Sequence, residues 1–282
     1  MTIDHRQEYE LASAAAQQLN AAGFADAVAV IQTGSGLPAP PLTGRTSLPW
    51  GEIAGFPTAT APGHRGVLHH GRWNDVPVLI LEGRLHMYEG HAPAHVVRPI
   101  RAMGLLGIET VILTNATGGV NADLSAGDVV RISDHINLQG CDPLAGIHDP
   151  RFGERFPVTA GCSHDVALGA LAHDVAAALG TPLTDGIYGG VNGPSFETPA
   201  EVRRLRSYGV DVCGMSTVPE ILAATQLKRR VLVLSLVANP AGVVAEGASA
   251  ETEVLDVGAA HGARLMDIVA GVVARLGAEA IS

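Results

Sequence analysis

Seven short apolar runs, set among stretches with helical spacing, constrain this chain more than any other feature. The runs cover residues 27–31, 76–81, 110–113, 129–132, 184–191, 210–215 and 231–237, and most end in a turn containing Gly, Asn or Ser. Helical spacing covers 9–20, 94–106, 166–179, 200–207 and 220–226, and a final helix is expected from about 253 to 276. Unbroken apolar runs of strand length, alternating with helices, are what a sheet covered on both faces requires. The expectation is an α/β protein with a central, largely buried sheet. No repeat, linker-like shift in composition or low-complexity block interrupts residues 1–282, so one domain is expected. Residues 140–159, rich in Asp, Pro, Gly and His, read as a long functional loop. In open α/β sheets ligands collect where strands end, so the strand exits are where chemistry is sought.

Composition narrows the classes of function. Hydrophobic residues make up 47% and charged residues 16%, enough for a sizeable core and unlike a disordered chain. The formal net charge of −10 argues against nucleic acid as a partner. The single lysine, Lys228, stands in a Lys228-Arg229-Arg230 run before an apolar strand and reads as a solvated strand entry. Without a Gly-Lys-Ser/Thr sequence there is no Walker loop, and no buried amine is expected for Schiff-base chemistry. Cys141, Cys162 and Cys213 are odd in number and lack metal-ligand spacing, which points to free thiols, a reducing compartment (most simply the cytoplasm) and no metal. No apolar run reads as long enough to span a bilayer, and residues 1–10 carry no signal-peptide core, so no membrane partner is expected.

Five strand exits carry residues suited to holding a ligand, and each also has a purely structural reading. Gly34-Ser35-Gly36 lets backbone approach an anion, or is a simple turn. Arg84, His86 and Tyr88 alternate and would share one face of an extended segment, offering a guanidinium, an imidazole and a phenol to a phosphate or sugar phosphate, or a polar strand face to water. Nearby His64 is a further loop imidazole. Thr114-Asn115-Ala116-Thr117-Gly118-Gly119 reads as small-residue backbone facing an anion or sugar, or as a tight strand exit. In Met215-Ser216-Thr217-Val218-Pro219-Glu220, Ser216 or Thr217 can cap a helix whose N-terminus also favours an anion, and Met215 can pack beneath a sugar. Asn239 carries the donor and acceptor that a lactam edge needs, or simply begins an Asn239-Pro240 turn. Finally, Phe196 beside Glu197 can stack on a flat heterocycle and accept its N–H bonds, while Thr198 and Pro199 match the start of a helix.

In this combination and order, Gly34-Ser35-Gly36, the segment from Gly83 to Gly90, Thr114-Asn115-Ala116, Gly193-Pro194-Ser195-Phe196-Glu197-Thr198 and the segment from Gly214 to Glu220 resemble the trimeric-type purine nucleoside phosphorylases. The resemblance runs from about residue 28 to 273. It implies a phosphorylase fold, with a central mixed sheet flanked by helices, and a homotrimer. It also implies phosphorolysis of purine nucleosides, the 6-oxopurines inosine and guanosine above all, with inorganic phosphate as co-substrate and no cofactor. By the same resemblance, phosphate is held by Ser35, His64, Arg84, His86, Ala116 and Ser216, ribose by Tyr88 and Met215, and the base by Phe196, Glu197 and Asn239. Catalysis falls to Glu197, Asn239 and His86, and Phe156 reaches a neighbouring subunit's site.

Two positions depart from the family pattern. Ala238 stands where Thr is usual, and Glu251 stands where a His meets the ribose 5′-hydroxyl, so Glu251 joins Tyr88 and Met215 as an expected ribose contact that accepts from the 5′-hydroxyl. The resemblance also leaves a 5′-methylthioadenosine phosphorylase or a non-catalytic nucleoside-binding homologue as alternatives.

Overall fold

Alternate residues of the apolar runs enter different layers, and this is why the runs are continuous. The computed structural model describes residues 2–37, 39–59, 64–161, 163–243 and 250–279, with side chains from 252 onward in the last stretch. Its strands are β1 (Ala29–Thr33), β2 (Thr43–Pro49), β3 (Val67–Trp73), β4 (Val76–Glu82), β5 (Thr110–Gly119), β6 (Val129–Asn137), β7 (Thr184–Gly190), β8 (Val212–Gly214) and β9 (Arg230–Pro240). Its α-helices are α1 (His5–Ala21), α2 (Pro93–Val96), α3 (Arg98–Leu106), α4 (Val166–Ala178), α5 (Pro199–Ser207), α6 (Val218–Gln226) and α7 (Ala250–Glu279). Val30, Leu79, Leu81, Val111, Leu113, Val231 and Val233 pack in one core with Leu19, Met103 and Ile221. Their neighbours Ala29, Ile31, Val78, Ile80, Ile112, Leu232 and Leu234 pack in another with Leu168, Ile268 and Val272. Period-two strands therefore bury both faces, one under α1, α3 and α6 and the other under α4 and α7.

The sheet is mixed, in the order β2-β3-β4-β1-β5-β8-β7-β6-β9. β4, β1, β5 and β9 are parallel to their neighbours in that group, while β2, β3 and β4 form an antiparallel meander. Because β9 pairs with both β5 and β6, strands β5, β8, β7, β6 and β9 close into a cycle. The exits of β1, β4, β5, β8 and β9 meet beside this cycle.

Several expectations are corrected. β2 has no apolar run, because nearly all of it is exposed. Residues 114–119 continue β5 instead of turning out of it, and Asn239 and Pro240 close β9, with a turn from Pro240 to Val243 directly after it. α1 begins at His5, where Asp4 caps it by accepting from the Arg6 N–H. α7 is long and apolar enough to cross a bilayer by length and composition, contrary to the sequence reading. Its apolar face instead packs on the sheet through Leu265, Ile268, Val269, Val272 and Val273, each fully buried. Lys228 is exposed as expected and pairs with Glu154 at 3.3 Å.

Candidate active site

A cavity of about 330 Å³ opens where these strand exits meet. Ser35 reaches it from beyond β1, Arg84, His86 and Tyr88 from beyond β4, Ala116 from β5, Met215 and Ser216 from beyond β8, and Asn239 from the end of β9. Phe196 and Glu197 close the opposite side from the loop before α5. The structure thus gathers eleven residues singled out from the sequence: Ser35, Arg84, His86, Tyr88, Ala116, Phe196, Glu197, Met215, Ser216 and Asn239 line the cavity, and His64 joins them from behind.

Backbone fit sets the floor. Gly34 lies so close to β5 that a Cβ there would sit 2.6 Å from the Asn115 Cα, so only glycine lets β1 deliver Ser35 to this point. Thr217, fully buried at the start of α6, has φ of 74°, a region a β-branched residue occupies at a cost of about 1–3 kcal/mol. It does not cap the helix with its side chain. Its hydroxyl accepts from Asn115 Nδ2 at 2.9 Å and lies 2.9 Å from the Ser216 hydroxyl, so the expected cap is replaced by a hydroxyl network at the cavity wall. Tyr188 supports this turn by donating from its hydroxyl to the Ser216 carbonyl at 3.2 Å, and its burial pushes that phenol up to about 12.

Arg84 is the only guanidinium lining the cavity among the described residues. It is 1% exposed and donates from Nη1 to the Thr114 carbonyl at 3.1 Å and to the Ser216 hydroxyl at 3.2 Å. Its Nε stands 3.2 Å from Glu220, itself fully buried, in an ion contact without hydrogen-bond alignment. The Nη2 group has no hydrogen-bond partner among the described residues. An anion at the cavity wall would meet the positive charge of Arg84, the Ser216 hydroxyl and the N-terminal end of α6 together.

His86 is held from two sides. Glu89 accepts from its backbone N–H at 2.7 Å and from Nδ1 at 3.0 Å, leaving Nε2 as the ring's other polar atom. That same Glu89 contact winds Met87–Glu89 into a 3-10 turn, so the extended segment expected here is not formed. His86 and Tyr88 come together by stacking instead, with centroids 4.6 Å apart. His64 does not line the cavity. Its Nε2 is 3.1 Å from the Ser35 hydroxyl, and its ring lies 5.1 Å from that of His86. Burial first, then the neighbouring His86 and Arg84, hold its pKa down to about 3, so it is a neutral hydrogen-bonding group.

The other side is looser. Phe196 is 41% exposed and Glu197 is half-buried. Both readings of this segment hold at once: Thr198 caps α5 by accepting from the Glu201 N–H, and its own N–H donates to Glu201 at 2.9 Å, while Phe196 and Glu197 face the cavity. Asn239 is buried, and its Nδ2 donates to the Val243 carbonyl at 3.4 Å.

Sequence reasoning missed Cys213, whose thiol is pushed up by burial and then by Glu197 beside it, and which lines the cavity with Val254 and Leu255 of α7. Alternation along β8 from Met215 was the signal available for Cys213. Ala238 is buried but does not line the cavity, so the hydroxyl missing there lies off the wall. The Glu251 side chain lies outside the described residues. Phe156 is 82% exposed on its loop, away from the residues that line this chain's cavity. The metal-free expectation meets an exception among the described residues that do not line the cavity, where Asp134, His135 and His164 come together.

The model of the phosphorylase superfamily matches residues 29–274. Purine nucleoside phosphorylase 1 of Bacillus subtilis is 40% identical over 246 residues, covering 87% of this chain and 90% of that protein. The purine nucleoside phosphorylase of Mycobacterium tuberculosis is 41% identical over 271 residues, covering 94% and 96%. Among solved structures, a Schistosoma purine nucleoside phosphorylase in complex with guanosine superposes with a TM-score of 0.86 at 32% identity, covering 94% of this chain and 96% of its own. The glycine approach, the buried arginine and the stacked aromatic side of the cavity thus occur in a chain that belongs to the purine nucleoside phosphorylases of the phosphorylase superfamily.

Proposed function

We propose that this protein cleaves 6-oxopurine nucleosides with inorganic phosphate, yielding free base and (deoxy)ribose 1-phosphate. The observation that carries this reading is the pairing, in one cavity, of a buried donor set at Arg84 and Ser216 with an aromatic, carboxylate and amide at Phe196, Glu197 and Asn239. Phosphate sits against Arg84, Ser216, Ser35, His86 and the Ala116 backbone. His64 acts through Ser35. Ribose lies over Met215 beside Tyr88, and the purine lies against Phe196.

A phosphate oxygen attacks C1′ as the C1′–N9 bond breaks, and the bonding pair leaves with the base, which takes up a proton from water to become the neutral free purine. Positive charge that develops on the ribosyl group faces the phosphate. Negative charge that develops on the purine is met by the Asn239 amide, while Glu197 accepts from a ring N–H. Oriented donors of this kind stabilise charge only where it develops, so catalysis is positioning plus electrostatics, with no covalent enzyme intermediate and no cofactor. The guanosine held by the Schistosoma relative supports the 6-oxo assignment. Phe156, largely exposed in a single chain, supports a homotrimer in which it covers a neighbour's site. Free Cys141 and Cys213 support a cytoplasmic setting.

The test is base release from inosine, guanosine, adenosine and 5′-methylthioadenosine, each with and without phosphate. Phosphate-dependent release of hypoxanthine and guanine is expected. Equal rates without phosphate would indicate a hydrolase, preference for methylthioadenosine would move the assignment to that phosphorylase, and binding without turnover would indicate a nucleoside-binding homologue.

A further inference from the structure

Away from the cavity, strand β6 and the segment entering α4 bring two imidazoles face to face. His135 Nδ1 and His164 Nε2 are 3.1 Å apart, with ring planes at 58°. Asp134 adjoins His135 and is exposed, and one ligand atom from each of the three residues lies within 4.8 Å of the others. His164 is only 8% exposed, and its Nδ1 has no partner among the described residues.

A direct bond between the two rings accounts poorly for this arrangement. If His164 Nε2 accepts from His135, a buried Nδ1–H is left unsatisfied; if it donates, a buried lone pair is left bare. Burial, and for His164 also the adjacent His135, holds both rings below the ordinary imidazole range, His164 to about 4. Zinc binds imidazole nitrogen at about 2.0–2.1 Å in tetrahedral geometry, which places two such nitrogens roughly 3.3 Å apart. The observed separation needs little widening. The nearby Arg131 is paired with Asp185 through two hydrogen bonds, and Asp134 supplies the carboxylate of the cluster.

We propose that Asp134, His135 and His164 form a binding site for a divalent transition ion of the zinc type. The ion clamps the segment entering α4 onto strand β6 and leaves one coordination position to water on the exposed Asp134 side. Its role is structural. It would fix the trailing end of the loop that carries Phe156, since His164 directly precedes Asp165, the residue that caps α4 by accepting from the Leu168 N–H at 2.8 Å. The site is independent of the proposed reaction.

The test uses full-length protein stripped of metal with a chelator and titrated with Zn²⁺ by calorimetry, alongside thermal melting. One Zn²⁺ per chain and a raised melting temperature are expected. His135→Gln and His164→Gln should each weaken binding at least about 100-fold, and Asp134→Asn about 10-fold. His64 and His86 also lie close together, so His86→Ala serves as the control and should keep the binding. Undiminished binding in either histidine variant would overturn the proposal, as would loss of binding in His86→Ala or no binding to the wild type at about 100 µM. If the His164 variant does not fold, Asp134→Asn decides, because that side chain is exposed: unchanged affinity would sink the site.

Discussion

Arg84 and Phe196 stand at opposite sides of one cavity and are held in different ways. Arg84 is buried, bonded to Thr114 and Ser216 and paired with Glu220, and its neighbours include a strained Thr217 and a neutral His64. Phe196 and Glu197 stand on a loop, partly exposed, with Thr198 and Glu201 fixing only the helix that follows. The first side is assembled before any ligand arrives, and its residues are part of what keeps the sheet exits together. The second is surface that a ligand can complete. Stability and turnover should therefore be coupled at the Arg84 side and separable at the Phe196 side.

The largest effect expected is at Arg84. Arg84→Met leaves Glu220 as an unpaired charge with no access to water, and breaking a buried pair from one side costs about 3–5 kcal/mol. Chemical unfolding should show that loss. Adding Glu220→Leu should return most of the stability, because replacing both members removes the uncompensated charge, while phosphorolysis stays absent. A double variant that regained activity would show that the ion pair supports the fold alone.

Glu197→Ala should do the reverse. The carboxylate is half-buried and takes no part in the α5 cap, so melting should hardly move. Turnover should fall by on the order of 3 kcal/mol in the barrier, the scale of one oriented group at developing charge. An unfolded Glu197→Ala protein would erase the contrast between the two sides.

That contrast bears on what was legible in the sequence. Strands β1, β4 and β9 were visible because both faces are buried, so each carries a nearly unbroken apolar run, such as Ala29–Ile31 in β1 and Val231–Leu234 in β9. The hairpin partner β2 was not, because an exposed edge of Thr, Gly, Arg and Ser carries no hydrophobic signal. The second half of β5 lies beyond the strand expected at 110–113, because its residues are small or polar and several of them line the cavity. The cavity residues themselves were legible as types at strand exits, but their division of labour was not. Nothing local marks Glu220 as the partner of Arg84, which is 136 positions away, or places Cys213 against Glu197. The imidazole pair His135 and His164 spans 29 residues without any metal-ligand spacing. The Thr217 hydroxyl is drawn away from a cap by its tertiary bond to Asn115, while the 3-10 turn at Tyr88 comes from the local contact of Glu89 with His86, which overrides the alternation that suggested an extended strand.

A third expectation concerns the purine edge. Asn239 offers a donor and an acceptor from a buried position, and its side chain's hydrogen bond among the described residues is a long one to Val243. Asn239→Asp replaces the donor with a second acceptor. Affinity for inosine should then drop while adenosine, whose 6-amino group donates, gains relative kcat/KM by about 2 kcal/mol, the range of one mismatched polar contact. Unchanged relative rates would remove Asn239 from the purine edge and leave base selection to Glu197.

The smallest effect separates the two sides by pH instead of by activity. His64 is neutral in the folded protein down to about pH 3, whereas an unfolded chain protonates histidine near 6.5. Its folded pKa is thus depressed, so the stability it contributes is complete above 6.5 and is lost as pH falls from 6.5 toward 3, where the unfolded state binds the extra proton. Between pH 7.5 and 5.5 that amounts to about 1.4 kcal/mol for one such group. Wild type and His64→Gln should be unfolded with urea at both values in buffer free of phosphate. The wild type should lose about 1.4 kcal/mol more than the variant over that interval, whatever their difference at pH 7.5. His164 and other depressed histidines are common to both proteins and cancel. No titrating histidine lines the Phe196 side among the described residues, so Phe196→Ala should leave the acid slope as it is in the wild type. Equal acid losses in wild type and His64→Gln would mean that His64 takes up a proton within the fold, and the neutral partner assigned to Ser35 would have to be an imidazolium donor instead.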